Sequence, residues 1–333
     1  MNGTTIEITM SYTPEELIQG ILEGNRRALA KSITLIESSR ESDTKLADEI
    51  IAGVSTKHIS SIRIGISGVP GAGKSTFIEA FGMYVISLGK KVAVLAVDPT
   101  SPITGGSILG DKTRMPELTQ SINAFIRPSP SSGNLGGVTR KTKDTILLCE
   151  AAGYEVIIVE TVGVGQSEVA VADMTDIFLL LLLAGAGDEL QGIKKGIMEM
   201  ADIILINKAD GNNKINAENA RHEFENALRL FKPKYKYWTS PVITISSLLK
   251  QGIPDVWGKI QNFISASGEE LIVNRKIQYE KWLWSYLQNK IYYEIQHLKE
   301  SNLQVLKLQE DVKENRISIR MAVESILHEY KKS

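Results

Sequence analysis

The sequence predicts an α/β fold in which a mostly parallel central sheet is flanked by helices, with further helices before and after it. Short runs rich in Val, Ile and Leu alternate with helix-compatible stretches, which is typical of parallel strands buried on both faces. Apolar residues recur at helical spacing before residue 57, and strand-like runs stop after about residue 265. We therefore predict an N-terminal helical segment (1–60), a central α/β domain (61–264) and a C-terminal helical extension (265–333).

The composition is that of a folded protein without a strong overall charge. Of the 333 residues, 43% are hydrophobic and 23% are charged, which supplies enough apolar surface for a core. The chain has 38 Lys and Arg against 39 Asp and Glu, a formal net charge of −1. This balance attracts the chain neither to nucleic acid nor to an anionic membrane, and we expect neither as a partner.

Cysteine and histidine usage argues against a disulfide framework and against a metal cluster. Cys149 is the single cysteine, so an internal disulfide is excluded. The four histidines are scattered without ligand spacing, which disfavours a zinc or nickel cluster. Cys149 lies in an apolar run, where we expect a small buried hydrophobic residue.

The N-terminal segment contains signals for three helices. Thr13, Pro14 and Glu16 form a capping sequence with proline at the first helical position. The apolar positions are Leu17, Ile18, Ile21 and Leu22 in the first helix, Leu29, Ile33 and Ile36 in the second, and Leu46, Ile50 and Ile51 in the third.

The sequence has no pattern typical of a membrane span or a secretory signal. The longest apolar run, 177–184, is far shorter than the about 20 residues of a membrane span, and the N-terminus lacks the features of a secretory signal. We therefore expect a cytoplasmic protein.

After the N-terminal segment, the sequence predicts six strands and two C-terminal helices. The strands are predicted at 62–67, 92–97, 156–159, 178–183, 203–206 and 242–245, one helix carries the stripe Leu283, Leu287, Ile291, Ile295 and Leu298, and a later helix is predicted at 319–330.

The first predicted strand runs into GVPGAGKS, which matches the phosphate-binding pattern G-x-x-x-x-G-K-[ST]. Its glycines let successive backbone N–H groups point at phosphate oxygens, and the following helix adds its positive N-terminal end. Lys74 is expected to reach the β- and γ-phosphates, and the Ser75 hydroxyl to bind Mg²⁺. The pattern predicts a P-loop NTPase. The predicted nucleotide contacts are Gly68, Val69, Pro70, Gly71, Ala72, Gly73, Lys74, Ser75 and Thr76.

A second motif predicts which base is bound. Asn207, Lys208 and Asp210 form an N-K-x-D sequence directly after the strand predicted at 203–206. An aspartate here can accept hydrogen bonds from N1–H and the 2-amino group of guanine, a pair of donors that adenine lacks. The stem of Lys208 can lie over the base, and Asn207 can join neighbouring loops. In a chain that also has a phosphate loop earlier in its sequence, this motif predicts binding of GTP or GDP rather than ATP. A second base-binding loop is predicted at Ser246, Ser247 and Leu248.

Acidic residues at strand ends predict the metal site. Glu160 ends the strand predicted at 156–159 and can hold Mg²⁺ or orient the attacking water, while Gly163 lets the backbone reach the γ-phosphate. Asp98 and Asp111 follow the next strand and are predicted members of the Mg²⁺ shell, giving the metal set Ser75, Asp98, Asp111 and Glu160. We predict three mobile segments at this edge: those around Asp111 and Gly163, and the charged, glycine-rich segment 185–195.

Together these motifs resemble the methylmalonyl-CoA mutase-associated GTPases. The resemblance rests on GVPGAGKST, VLAVDPTSPITGGSILGDKTRM, LCEAAGYEVIIVETVGVGQSE, GDELQGIKKGI and NKAD, and it covers most of the chain. One departure is Pro102-Ile103-Thr104, where many relatives have a more polar stretch with an arginine. No basic contact to phosphate is therefore expected there.

The resemblance implies a GTP-hydrolysing chaperone that gates loading of adenosylcobalamin into a cobalamin-dependent acyl-CoA mutase and protects that enzyme. It implies the catalytic set Lys74, Asp111, Glu160 and Lys194, with Lys194 coupling the third mobile segment to the partner or the catalytic centre. No D-x-H-x-x-G motif is present, so this chain is not expected to hold cobalamin tightly, and the mutase is a separate chain. Methylmalonyl-, isobutyryl- and ethylmalonyl-CoA mutase are all compatible partners.

Family members form homodimers through C-terminal helices, which suits the apolar stripe after Arg275. Packing of that stripe on the chain's own core is an equal alternative. No arginine finger in cis is identifiable in the sequence, so slow turnover without a partner is expected.

Other functions stay open as alternatives. A kinase acting on an amino-acid transport component would label an acceptor instead of releasing phosphate. A metal-insertion GTPase should carry a His- or Cys-rich segment, and a signal-recognition GTPase a Met-rich domain. The sequence has neither, and its eight methionines are spread along the chain.

Overall fold

The computed structural model describes residues 12–38, 40–55, 60–97, 114–128, 135–161, 167–184 and 195–332. The chain falls into two units, Met1–Arg275 and Lys276–Ser333. The three-part division inferred from the sequence stays a prediction.

A parallel sheet forms the centre of the larger unit. Its strands in the described residues are β1 (Ile62–Gly68), β2 (Val92–Val97), β3 (Ala124–Arg127), β4 (Val156–Thr161), β5 (Ile177–Leu183), β6 (Ile203–Asn207) and β7 (Val242–Thr244). They are ordered β3-β2-β4-β1-β5-β6-β7, and every pairing is parallel. The carboxyl ends of β1, β2, β4, β5, β6 and β7 therefore meet at one edge, where the predicted site residues follow the strands. The predicted α/β fold is confirmed.

The strand β3 is an addition to the six strands predicted from the sequence. It has four residues, lies at the edge of the sheet and pairs only with β2 among the described strands. Ala124 and Phe125 are buried, whereas Ile126 and Arg127 are partly exposed. Because an edge strand is covered less completely than a central one, it lacks the continuous apolar run by which the other strands are recognised.

In the described residues, α-helices flank the sheet and also precede and follow it in sequence. They are α1 (Pro14–Leu22), α2 (Arg26–Glu37), α3 (Glu41–Val54), α4 (Lys74–Ser87), α5 (Pro116–Gln120), α6 (Leu135–Ala151), α7 (Ser167–Ala172), α8 (Lys195–Met200), α9 (Lys214–Leu228), α10 (Ile253–Ser267), α11 (Glu270–Ser301), α12 (Leu303–Lys313) and α13 (Ile319–Lys332).

The N-terminal helices follow from their capping and apolar patterns. The Thr13 hydroxyl accepts a hydrogen bond from the Glu16 backbone N–H at 3.2 Å, and the Glu16 carboxylate accepts one from the Thr13 N–H at 2.9 Å. This reciprocal pair is the predicted capping box. The apolar stripes of α1 and α2, which include the buried Leu17, Ile21 and Leu29, face the other helices, and α2 and α3 pack against α6.

An aromatic cluster packs α4 against α10 beside the sheet. The rings of Phe77 and Phe81 are stacked with centroids 5.4 Å apart, and Trp257 lies 6.0 Å from Phe81. Both phenylalanines are fully buried, and burying such a side chain stabilises the fold by about 1.5–3 kcal/mol. This packing holds the helix that begins at Lys74 against the sheet.

A buried group of charges lies at the amino-terminal edge of the sheet. Arg63 is fully buried, and its guanidinium donates two hydrogen bonds to Glu150 at 2.8 and 2.9 Å. Asp176, which precedes β5, accepts hydrogen bonds from Arg275 at 2.7 and 2.5 Å. The Arg275 Nη2 group also donates a hydrogen bond to the Ser61 carbonyl oxygen at 2.7 Å. These pairs join the starts of β1 and β5 to α6 and to the first turns of α11.

The smaller unit contains the helices that follow Arg275. Val305 and Ala322 are buried, and α12 packs on α13. The helix α13 confirms the one predicted at 319–330, whereas α12 was not predicted. Within the stripe predicted along α11, Leu283 and Leu287 are exposed. No helix in the described parts of the chain combines the length and hydropathy needed to cross a bilayer.

Candidate functional site

The phosphate loop joins the end of β1 to the start of α4, and two of its glycines are required by their surroundings. A Cβ atom on Gly68 would lie 2.3 Å from the backbone carbonyl oxygen of Leu181 on β5. Gly73 has a φ of 86° and precedes the first residue of α4, and a Cβ atom there would lie 2.8 Å from the Asn207 side-chain nitrogen. Glycine is therefore needed at both ends of the loop for steric reasons.

Lys74 folds back over this loop. Its ammonium donates hydrogen bonds to the carbonyl oxygens of Gly68 at 2.8 Å and Val69 at 3.4 Å. Burial lowers the pKa of Lys74 below its ordinary value, and the negative charges of Glu160 and Glu168 oppose that shift. The cation is thus held inside the loop, where a phosphate oxygen could replace the carbonyl groups as its partner.

The middle of the loop is exposed, and the helix after it begins without an acidic residue. The N–H of Ala72 donates to the Val69 carbonyl at 3.1 Å and closes the turn, while Pro70 and Gly71 are exposed. Ser75, half-buried, and Thr76, exposed, lie in the first turn of α4. That turn, which is fully described, contains no acidic residue. The positive end of the helix is therefore not neutralised within its own first turn, which favours an anion.

Asn207 connects the phosphate loop to the loop after β7. It is buried, and its side-chain NH₂ group donates to the Ala72 carbonyl at 2.7 Å. Its side-chain oxygen accepts hydrogen bonds from the Ser247 backbone N–H at 3.1 Å and from the Ser247 hydroxyl at 2.8 Å. One amide therefore fixes two loops that are far apart in sequence.

The half-buried Asp210 is oriented by the same loop after β7. The Ser246 hydroxyl donates to one oxygen of the Asp210 carboxylate and accepts a hydrogen bond from the Leu249 N–H at 3.1 Å. Lys208 is exposed and has a φ of 59°, and Leu248 is exposed as well. The Ser246 hydroxyl therefore orients the Asp210 carboxylate, and an oriented carboxylate suits recognition of a base with two adjacent N–H donors.

Glu160 lies at the carboxyl edge between two strands. It is buried, and it pairs in register with Ile66 on β1 and Ala96 on β2. The next residue, Thr161, donates from its hydroxyl to the Ser67 hydroxyl at 2.9 Å. The end of β4 is thereby fixed beside the start of the phosphate loop.

The donor set of this edge fits Mg²⁺. Ser75 and Glu160 supply a hydroxyl and a carboxylate, and Mg²⁺ in nucleotide sites uses one or two such oxygen ligands together with waters and phosphates. Among the described residues, no group of three or more His, Cys, Asp or Glu side chains is placed to hold a metal ion. The predicted site residues Asp98, Asp111, Gly163 and Lys194 lie outside the described residues.

Glu168 is a residue of this site that the sequence analysis does not single out. It is 2% exposed, lies in the first turn of α7 and acts on Lys74 through its charge. In the sequence it stands in the run ETVGVGQSE, where an acid at the start of a helix is ordinarily a solvated capping residue. Its burial distinguishes it from such a residue.

Comparison with known proteins gives consistent matches over most of the chain. A family model described as "Methylmalonyl Co-A mutase-associated GTPase MeaB" matches residues 29–300. The protein "GTPase ArgK" from Escherichia coli (strain K12) is 52% identical over 274 residues, which cover 81% of this chain and 82% of that protein. The protein "Methylmalonic aciduria type A homolog, mitochondrial" from Mus musculus is 46% identical over 298 residues, covering 86% of this chain and 71% of that protein.

A solved structure extends this similarity to the fold. The crystal structure of an "LAO/AO transport system kinase" superposes with a TM-score of 0.73 at 38% sequence identity. The superposition covers 96% of this chain and 98% of that chain.

Proposed function

The chain belongs to the family of methylmalonyl-CoA mutase-associated GTPases, and we propose that it uses GTP hydrolysis to control loading of adenosylcobalamin into an acyl-CoA mutase and to protect that enzyme. GTP hydrolysis is the activity of this P-loop GTPase family. The mutase is proposed to be a separate chain. The similarity to the murine methylmalonic aciduria type A homolog supports this assignment.

The observation that carries the nucleotide assignment is the position of Asn207. Its amide bonds at once to Ala72 in the phosphate loop and to Ser247 in the base loop. A ligand that spans both loops must have a phosphate tail at one end and a base at the other, as GTP and GDP have. Asp210 then selects guanine through its oriented carboxylate.

The phosphate end of the ligand is held by Lys74 and by backbone N–H groups of the loop from Gly68 to Ser75. When a phosphate arrives, the Lys74 ammonium exchanges the carbonyls of Gly68 and Val69 for phosphate oxygens. Ser75 and Glu160 are proposed to hold Mg²⁺, together with Asp98 and Asp111. Mg²⁺, when bound, supplies charge that offsets the phosphates.

The signal to the partner is proposed to come from segments that sense the γ-phosphate. These are the segments around Asp111, Gly163 and Asp188, each of which follows the carboxyl end of a strand. Glu160 orients the attacking water, and Lys194 couples the third segment to the partner or to the catalytic centre. Loss of the γ-phosphate releases the segments, and the mutase responds to that change.

The central experiment measures complex formation with a purified cobalamin-dependent acyl-CoA mutase. We expect the protein to bind the mutase differently when loaded with GTP and with GDP, and to hydrolyse GTP faster in the complex. Lys74→Ala should abolish both effects, whereas Lys232→Ala, which changes an exposed lysine in the α9–β7 connection, should preserve both. Nucleotide-independent binding, or no binding to any of the three candidate mutases, would contradict the chaperone role.

A second candidate function is a kinase acting on an amino-acid transport component. The similarity to the LAO/AO transport system kinase favours it. The two functions differ in where the γ-phosphate goes. With γ-labelled GTP, the proposed hydrolase releases labelled inorganic phosphate, whereas a kinase transfers the label to an acceptor.

We also propose that the protein is a homodimer formed through the helices after Arg275. Leu283, Trp284, Ile319 and Met321 are exposed there. Sedimentation at micromolar concentration should give twice the monomer mass for the wild type and a lower mass for Trp284→Ser. A monomeric wild type would contradict this proposal.

A further inference from the structure

We propose that Thr161 is a positioning residue for GTP hydrolysis: its hydrogen bond to the Ser67 hydroxyl fixes the end of β4, and with it Glu160, relative to the phosphate loop. This inference rests on the proposed function, in which Glu160 orients the attacking water. It concerns a residue that acts on the reaction through its neighbour in the chain.

The hydroxyl bond lies where the register of β1 with β4 ends. The last residues paired between these strands are Ile66 and Glu160. Ser67 and Thr161 are the next residues of the two strands, and the Thr161 hydroxyl donates to the Ser67 hydroxyl at 2.9 Å. Thr161 is 0% exposed and Ser67 is 1% exposed. Two buried side chains therefore extend the contact between the strands to the residue directly before the phosphate loop.

This bond should hold the end of β4 more than the start of the phosphate loop. Ser67 and Gly68 also pair in register with two leucines of β5, a strand that continues for two residues beyond them. Thr161, in contrast, is the last residue of β4, and its partner Val97 is the last residue of β2. Because the ends of elements open more easily than their interiors, loss of the bond should loosen β4 first.

Packing alone does not account for the two hydroxyls. Side chains alternate between the faces of a strand, so Thr161 lies on the same face of β4 as the buried Ile157 and Val159. Valine would fill the space of a threonine there without burying a polar group, and a buried hydroxyl without a partner destabilises a fold. The pair is favourable only when the two hydroxyls meet, so it specifies one relative placement of the strand ends.

The placement of β4 should matter for the hydrolysis step more than for nucleotide binding. Glu160 is buried and directly precedes Thr161, so its backbone moves with the end of β4. Misplacement of a catalytic group by about 1 Å can slow a reaction by about a hundredfold. In the proposed site, GDP is held mainly by Lys74, the loop backbone and Asp210, and its binding should change little.

The experiment measures single-turnover GTP hydrolysis by excess protein in Mg²⁺, with the GDP dissociation constant from calorimetry and the stability from urea unfolding. For Thr161→Val we expect a roughly tenfold lower rate constant and a GDP dissociation constant within about twofold of the wild type. Ser67→Ala removes the same bond from the other side and should give the same pattern, so it replaces Thr161→Val if that variant does not fold. Thr161→Ser keeps the hydroxyl and should restore most of the rate.

A double variant and a control separate this role from a general loss of stability. If both substitutions act through one bond, the double variant Ser67→Ala, Thr161→Val should be no slower than the slower single variant. Thr145→Val removes another buried threonine hydroxyl, which donates to the Lys141 carbonyl at 2.8 Å within α6, and it should leave the rate unchanged. A purely structural role of Thr161 predicts a lower free energy of unfolding but a wild-type rate for the folded protein.

Three outcomes would overturn the inference. They are a folded Thr161→Val with the wild-type rate, a Thr161→Ser as slow as Thr161→Val, and a loss of rate matched by an equal loss of GDP affinity. Failure of the proposed function looks different. In that case the wild type would not bind GDP, Lys74→Ala would bind it equally well, or Glu160→Gln would hydrolyse GTP at the wild-type rate.

Discussion

The side-chain NH₂ group of Asn207 donates a hydrogen bond to the carbonyl oxygen of Ala72 at 2.7 Å, joining two residues 135 positions apart in sequence. Through Ser247, the same amide also reaches the loop after β7. The phosphate loop and the loop after β7 are therefore joined by hydrogen bonds to one side chain, and we expect a change in one loop to alter the other.

Asn207→Ala should weaken both the fold and the site. The substitution leaves the Ala72 carbonyl and the two Ser247 donors without their buried partner, and we expect a loss of about 2–4 kcal/mol in the free energy of unfolding. GDP affinity should fall at least roughly tenfold, because both loops lose their link. Urea unfolding and calorimetry measure the two quantities. The exposed Asn212→Ala should change stability by less than about 0.5 kcal/mol; an equal effect of both variants would argue against the linking role.

Asp210→Asn should change the base preference. An asparagine offers one acceptor and one donor where the carboxylate offers two acceptors, so it no longer matches the paired donors of guanine and instead suits xanthine, which has a carbonyl at C2. We expect GDP binding to weaken by roughly a hundredfold and xanthosine diphosphate binding to tighten. Competition between the two nucleotides measures this exchange. Retained preference for GDP would show that Asp210 does not contact the base, and Asp255→Asn on α10 serves as the control.

Gly65→Ala should displace α7. The new methyl group would lie 2.8 Å from both the Thr175 hydroxyl and a ring carbon of Phe178, and such overpacking costs about 1–3 kcal/mol of stability. Gly258→Ala on α10 is the matched control, since a Cβ atom there meets no atom within 4 Å. That control should gain about 0.5–1 kcal/mol through the better helix propensity of alanine. Equal effects in denaturant unfolding would refute the close approach of α7 to β1.

Glu150→Gln should destabilise the protein strongly. It removes the charge that faces the fully buried Arg63, and breaking a buried pair on one side costs about 3–5 kcal/mol. The partly exposed pair Lys90 and Glu155 provides the comparison, with side chains 35% and 38% exposed. Glu155→Gln should cost less than about 1 kcal/mol. The prediction fails if thermal unfolding shows the two variants to be similar.

Sequence patterns predicted the central fold because its strands are continuously apolar and its loops carry glycine at required positions. The strands β1, β4 and β5 are buried on both faces, so nearly all of their positions favour apolar residues. The edge strand β3 and the helix α12 have mixed exposure, and neither produced a distinct run or stripe. Patterns of this kind identify elements that are fully covered and miss those that are covered on one side.

Some residues of the candidate site were also predictable from the sequence, and others were not. Lys74, Asn207 and Asp210 were found because their motifs are defined by spacing along the chain. Glu168 was missed because it is buried in a helix that packs against β1 and β4, and contacts between separate elements leave no mark in the local sequence around Glu168. Contacts between distant elements of this kind become visible only once the sheet order is known.

The contact between Gly68 and Leu181 has a practical consequence for anyone preparing inactive forms of the protein. The methyl group of an alanine at Gly68 would clash with the Leu181 carbonyl oxygen on β5. Such a variant would disturb the central sheet, and a loss of activity caused by misfolding could be mistaken for the loss of a catalytic group. Lys74→Ala and Asp210→Asn add no atom at these half-buried positions, so they are the better choice for separating loss of activity from misfolding.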